Sequence, residues 1–380
     1  MVCLDLRTFL LPAVLVAVLA LIFWLLGVQS LQAAESSPMT GQELYQSHCA
    51  VCHGPDGTGS PSSSVGFKVP LPDFTDCDFA SREAAGDWII VAKKGGPARG
   101  FSKMMPAFGE ALSDSQLSRT VDYIRGFCSN DDWPLGELNL PRPLSTTKAY
   151  PEDELVLETE VETEGLNRIS NNLVYEQRFG ERNQFELVLP LGWSEQEGED
   201  GTNWTSAVGD IGLGLKRVMF HSLDSGTIVS LGGELLLPTG DDEEGFGSDT
   251  AVFEPYIVAG QILPSKFFLH FQGGFALPFD TDRQNEEGFW RAAFGRMFTT
   301  GEYGRRWSPM VEVTGSKEFA SGTEVNWDVI PQLQVTLNPR QHVRLAAGAR
   351  LPLNDADERN PTYMAYLLWD WFDGGFFDGW

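Results

Sequence analysis

The sequence predicts a multidomain chain, a small all-α domain followed by an all-β antiparallel membrane barrel of about twelve strands. Three observations carry that expectation. Short helical stretches surround Cys49-Ala50-Val51-Cys52-His53 in the first third of the chain. After Cys128 cysteine disappears and the hydrophobic period changes to two. The later runs then set arginine, glutamine and histidine on one face and leucine and phenylalanine on the other, which asks for a wet interior and a lipid exterior.

At 380 residues with a net charge of −26, the chain has room for two domains and is unsuited to nucleic acid or anionic membrane surfaces. Residues 1–34 read as a targeting segment: Arg7 supplies a positive start, Phe9 to Gly27 is almost wholly apolar, and Ala33-Ala34 offers small residues for cleavage. The apolar run is also long enough for an inner-membrane anchor. Cleavage is the favoured expectation, because a barrel with both ends in the periplasm cannot keep its N-terminus in another membrane. Cys3 would leave with the signal.

Two cysteines two residues apart, followed at once by histidine, are what covalent haem attachment requires: Cys49 and Cys52 add to the two vinyl groups, and His53 lies under the iron. Zinc would need a second ligand pair, and Cys77 and Cys128 are isolated. A thioredoxin-like reading would need a βαβ pattern, which is missing. The flanks agree with haem. Thr40 to Tyr45 opens a short helix into the first cysteine, Gly54 to Gly59 is rich in turn residues, and Ser113 caps a helix running through Val121 and Ile124.

With Met104-Met105-Pro106 some fifty residues downstream of the motif, residues 40 to 128 resemble a class I c-type cytochrome. The resemblance implies one covalent haem c with His53 as proximal and Met105 as distal ligand; Pro106 holds the residue before it extended. Met104 is then core filler, and His48 a structural or surface histidine. Cys77 and Cys128, an even remainder in an exported protein, suggest a disulfide worth about 4 kcal/mol in chain entropy. Lys93, Lys94, Arg99 and Lys103 form the basic cluster of this domain and read equally as a docking face for an acidic periplasmic redox partner and as an ordinary solvated surface.

The expected boundaries are 35–128 for the cytochrome domain, 129–152 for a Pro-rich linker and 153–380 for the barrel. Pro134, Pro141, Pro143 and Pro151 favour an extended, semi-stiff tether. From Glu154 to Phe372 the runs alternate cleanly. Phe267, Leu269, Phe271 and Phe275 oppose His270 and Gln272, and Leu345, Ala347 and Leu351 oppose Arg344 and Arg350. Long acidic connections, such as Asp241 to Asp249 and Asp280 to Glu287, alternate with short ones, such as Pro264-Ser265 and Asn338 to Gln341. An even strand count returns both ends to the periplasm. Trp193, Trp290, Trp307, Trp327, Trp369 and Trp371 fall near strand ends, as interface girdles do.

Three stretches, Gly209 to Lys216, Leu235 to Asp241 and Leu367 to Phe372, are similar to an outer-membrane barrel family named for transport in the phenol meta-cleavage pathway. Asp373 to Trp380 departs from the aromatic ending usual in such barrels. The acidic loops match no calcium-loop spacing, and no catalytic set is evident. The expected function is electron transfer by one haem tethered to an outer-membrane barrel, a carrier rather than an enzyme. The alternatives are a small-solute channel with haem as plug or sensor, and a metal oxidase, since the layout resembles fused cytochrome–porin Fe²⁺ oxidases.

Overall fold

The computed structural model describes residues 39–163, 165, 167–198, 201–242, 245–300, 304–356 and 359–371. The targeting segment, Cys3 and the chain beyond Trp371 lie outside these residues.

The N-terminal domain is helical: α1 (Gly41–His48), α2 (Ala50–His53), α3 (Ser62–Val65), α4 (Cys77–Ala80), α5 (Ala85–Lys94) and α6 (Asp114–Arg125). Helix α2 continues α1 after an interruption at Cys49, whose N–H still bonds the Tyr45 carbonyl at 2.8 Å. Helix α6 starts with a capping box: Ser113 and Gln116 each accept the other's backbone N–H, at 3.3 and 2.9 Å. Helices α1 and α6 cross at Gly41, where a Cβ would stand 2.2 Å from the Arg119 carbonyl oxygen, so no larger residue fits. Leu44, Leu112 and Leu117 fill one half of the core, and Tyr45, Phe74 and Ile124 the other. Cys77 and Cys128 form a disulfide, tying the start of α4 to the chain after α6.

The rest is a closed antiparallel barrel of twelve strands in chain order. They are β1 (Glu154–Glu162), β2 (Arg168–Phe179), β3 (Asn183–Gly198), β4 (Gly201–Val208 and Ile211–Ser222), β5 (Thr227–Leu237), β6 (Val252–Ile262), β7 (Phe267–Pro278), β8 (Glu287–Arg296 and Phe298–Thr300), β9 (Arg305–Glu318), β10 (Asn326–Thr336), β11 (Val343–Pro352) and β12 (Thr362–Asp370). Each strand pairs with its sequence neighbours, and β1 pairs with β12 from Glu154↔Asp370 to Glu162↔Thr362, which closes the wall. Strand β4 is broken at Gly209-Asp210: its first segment pairs with the upper half of β3 and its second with the lower half. Glu195 to Gly198 pair with Gly201 to Trp204 at the far end of this long β3–β4 hairpin.

Both ends of the barrel wall lie at the short-turn rim. Outward side chains are large and apolar all round, including Phe185, Leu191, Leu215, Leu231, Phe271, Leu333 and Leu367. No soluble protein leaves so continuous an apolar belt in water; lipid is its solvent, and the barrel is of the outer-membrane type. Trp193, Trp307 and Trp327 are exposed near strand ends and Trp290 packs edge-on against Trp327 at 4.6 Å, but Trp371 is buried and stacks on Tyr175.

The inner face is polar, as its alternation requires, and chain from the expected linker lies against it. Residues 138–153, read as a tether, run through the lumen. The prolines keep the segment extended, and strand side chains rather than solvent satisfy its backbone. Glu312 on β9 accepts from the N–H groups of Leu144, Ser145 and Thr146 at 3.0, 3.1 and 2.7 Å, and from the Thr146 hydroxyl at 2.6 Å. Lys216 on β4 donates to the Lys148 carbonyl at 2.8 Å, Ser230 on β5 to that of Ala149 at 2.6 Å, and Arg291 on β8 to that of Ser145 at 2.7 Å. Arg142 sits among Glu154, Glu158 and Glu176 at 3.0, 3.0 and 3.2 Å. The segment is a plug anchored on most of the wall.

Candidate functional site

The helical domain encloses a largely apolar cavity of about 740 Å³, within the range of small-molecule and cofactor pockets. Helices α1 and α2 present His48, Cys49, Cys52 and His53 to it, and Phe67, Leu71, Phe74, Trp88 and Val91 close its sides. The Cys49 and Cys52 thiols are free, while the other two described cysteines are bonded to each other. Burial pushes the Cys49 thiol up to about 11, with Cys52 adding to the rise.

The His53 ring stacks on Phe74 at 4.9 Å, and the Tyr45 hydroxyl, wholly buried, donates to the Gly54 carbonyl at 2.6 Å and fixes the turn that follows. Gly54 holds φ +76°, a conformation that favours glycine. Burial lowers the His53 pKa to about 4, so its imidazole is neutral and a lone pair is available to a metal. Nδ1 is buried without a hydrogen-bond partner. A neutral, incompletely satisfied imidazole beside two free thiols in an apolar cavity fits a haem c, with Cys49 and Cys52 to hold its vinyl carbons and His53 its iron.

Met104 and Met105 both line this cavity. Both backbones are tied within the loop, the Met104 N–H donating to the Ser102 hydroxyl at 3.2 Å and the Met105 N–H to the Ser102 carbonyl at 3.2 Å, with the Met105 carbonyl also accepting from the Gly96 N–H at 3.1 Å; they differ in exposure, Met104 being 45% exposed and Met105 half-buried. His48 reaches the wall too, with Nδ1 3.0 Å from the Leu44 carbonyl, a local structural contact.

The basic cluster does not form one face. Arg99 is 3% exposed and bonds Asp87 through Nε and Nη2 at 3.0 and 2.6 Å, while Lys93 pairs with Asp114 at 2.6 Å. Burial of Arg99 costs too much for it to be left as a docking charge, so it is a structural ion pair of the domain.

Sequence reasoning missed that the barrel takes part in this site. Arg340 and His342, from the β10–β11 turn, line the same cavity. His342 Nε2 meets Glu83 at 3.0 Å, and Nδ1 lies 3.2 Å from Asp370 at the end of β12. Burial pushes the Glu83 carboxyl up, but His342, Arg344 and Arg306 outweigh it and hold the pKa below its ordinary value. Arg82 bonds Asp153 at 2.5 Å, and Arg182 bonds Asp132 at 2.5 Å. These pairs seat the helical domain on the short-turn rim.

The geometry can be set beside known proteins. The family model described as Cytochrome C oxidase, cbb3-type, subunit III, matches residues 36–124. That described as Putative MetA-pathway of phenol degradation matches residues 142–340, just over half of the chain. No curated protein matches. Among solved structures the chain is similar to an outer-membrane channel from Pseudomonas putida F1, at 14% identity over 61% of this chain and 100% of that one, TM-score 0.42. It is also similar to the KdgM porin in complex with disordered oligogalacturonate, at 10% identity over 57% of this chain and 99% of that one, TM-score 0.37.

Proposed function

The chain belongs to the family described as Putative MetA-pathway of phenol degradation, and with a cbb3 subunit III-like cytochrome domain ahead of its barrel, we propose that it is an electron-transfer protein of the outer membrane. In this reading one haem c, bound through Cys49 and Cys52 and ligated by His53 and Met105, sits at the periplasmic mouth of the barrel and exchanges electrons with a periplasmic redox partner. The observation that carries the reading is the convergence of two free thiols and a neutral, buried histidine on an apolar cavity that also receives a tethered methionine. The group would supply a ferric/ferrous couple, which thioether ligation places at higher potential than other axial sets.

The chain's own residues do the rest. Phe74 and Tyr45 orient His53 through ring stacking and the Gly54 turn. The turn at Gly95-Gly96, bonded to the Met105 carbonyl, keeps the methionine loop against the cavity. Phe67, Leu71 and Trp88 exclude water from it. No bond of a substrate has to be made or broken, so a carrier is favoured over an enzyme. A channel with haem as its stopper is also compatible with the barrel but is no better supported, because residues 138–153 run through the lumen bonded to its inner wall. The test is haem retention on denaturing gels of the outer-membrane protein. Haem should migrate with the chain, and with Cys49→Ser/Cys52→Ser it should not; haem lost from the unaltered chain would overturn the reading.

A further inference from the structure

We propose that the first segment of β4 (Gly201–Val208), on the long-loop rim outside the cell, is a docking edge to which an extended, basic segment of a partner protein adds as a further strand. The inference does not depend on the haem reading.

This segment is a strand with one bare edge. It pairs with β3 from Gly198↔Gly201 to Leu191↔Val208, and among the described residues no strand pairs with its other side. The pairing of β5 with β4 ends at Ile211↔Leu237, so β5 does not cover it. Asp210 holds the chain after β5 aside, its carboxylate accepting from the Gly240 and Ser248 N–H groups, both at 2.8 Å. Antiparallel alternation fixes which backbone groups the edge presents. The Glu195 N–H is spent on the Asn167 carbonyl at 2.8 Å, toward β2, so Trp204 opposite it turns its N–H and C=O away from β3. By the same two-residue period Thr202, Ser206 and Val208 present theirs to the open side. The Val208 carbonyl there meets the Asp241 N–H at 3.1 Å.

Bare edges are ordinarily guarded by charged residues or proline. Thr202 to Val208 contains neither, and Trp204 and Val208 are exposed. Beside the edge lies an open cleft of about 700 Å³, with Trp193, Ser206 and Val208 on one side and Gly240, Asp241 and Asp242 on the other. Strand addition takes its affinity from main-chain bonds and its specificity from the side chains around them. Here those surroundings are acidic. In the sequence the uncharged edge stands between Glu195, Glu197, Glu199 and Asp200 before it and Asp241 to Glu244 after it. A second copy of this chain, with its net charge of −26, would meet like charge there, whereas a strand carrying lysine or arginine meets the opposite sign.

The test titrates a fluorescent peptide that alternates lysine with threonine onto the full-length protein in nanodiscs of zwitterionic lipid, read by anisotropy. It should bind saturably, and its counterpart with glutamate in place of lysine at least about tenfold more weakly. Ser206→Pro removes an edge-facing N–H on the side that β3 does not use, so the hairpin stays paired. It should weaken the lysine peptide about tenfold, the worth of one main-chain bond. The lysine peptide N-methylated throughout keeps its charges and has no main-chain donor, and it should lose at least as much on the unaltered protein. Binding of the lysine peptide no stronger than to empty nanodiscs would overturn the inference. So would equal binding of the N-methylated peptide, or an unchanged affinity in Ser206→Pro whose barrel still shows the gel shift of a folded one. Self-association of the unaltered protein that Ser206→Pro abolishes would give the edge to a second copy and overturn the partner.

Discussion

Replacing Glu312 with alanine should release the plug from the barrel. Its carboxylate accepts from three successive backbone N–H groups and the Thr146 hydroxyl, and from Gln332 Nε2 at 2.5 Å. Glu312 is fully buried, so alanine leaves these donors without an acceptor in a site that cannot hydrate them well. A hydrogen bond to a charged group contributes roughly 1.5–3 kcal/mol, but bonds that share one acceptor are not additive. Loss of a buried charged partner typically costs about 3–5 kcal/mol. At roughly 4 kcal/mol, the balance between seated and released plug shifts about a thousandfold. Arg142 and Lys148 still hold the other turns of the segment, so partial opening rather than expulsion is expected. Single-channel recording in planar bilayers reads this directly. Unaltered protein should be closed or nearly so, and Glu312→Ala should show frequent conducting events, with Glu312→Gln between the two. Equal conductance in all three, with the barrel still folded, would refute the assignment of residues 138–153 as a plug.

The remaining predictions concern the cytochrome domain and the topology. Met105→Ala should abolish the weak absorption band of thioether-ligated ferric haem and lower the potential, whereas Met104→Ala should do neither; the reverse result would move the ligand to Met104. Protein purified without reductant should yield a peptide pair joining Cys77 to Cys128, and its reduction should cost the domain about 4 kcal/mol of stability in denaturant titrations; alkylation of both thiols before reduction would contradict the bond. A cysteine label at Ser248 should react on intact cells and one at Ser265 should not, because they lie in connections at opposite ends of the barrel; reaction at Ser265 alone would invert the orientation.

Much of the wall was legible because a strand in lipid has a strict period. His270 and Gln272 against Leu269 and Phe271 can face only inward and outward, and twelve such runs close only as an even barrel. The haem motif was legible because its chemistry is local, contained in five consecutive residues. What was not legible depended on contacts far apart in the chain. Leu140-Pro141-Arg142-Pro143 has the composition of a tether, and nothing local distinguishes a tether in water from one inside a barrel. The available signal was charge complementarity. Arg142 and Lys148 stand alone in the linker, while Glu158, Glu176 and Glu312 all fall on inward positions of strands. The same limit hid the split of the basic cluster, since the burial of Arg99 depends on Asp87, and it hid the arrival of Arg340 from a turn more than two hundred residues beyond the haem motif.

The central claim is that a single covalent haem at the periplasmic mouth of this barrel carries electrons. A spectroelectrochemical titration of the full-length protein, isolated from outer membranes with its haem content measured per chain, tests it most directly. One haem per chain and one reversible, one-electron transition is the predicted result. A protein without haem, a haem that solvent extracts from the unfolded chain, or a haem that does not cycle reversibly would contradict it.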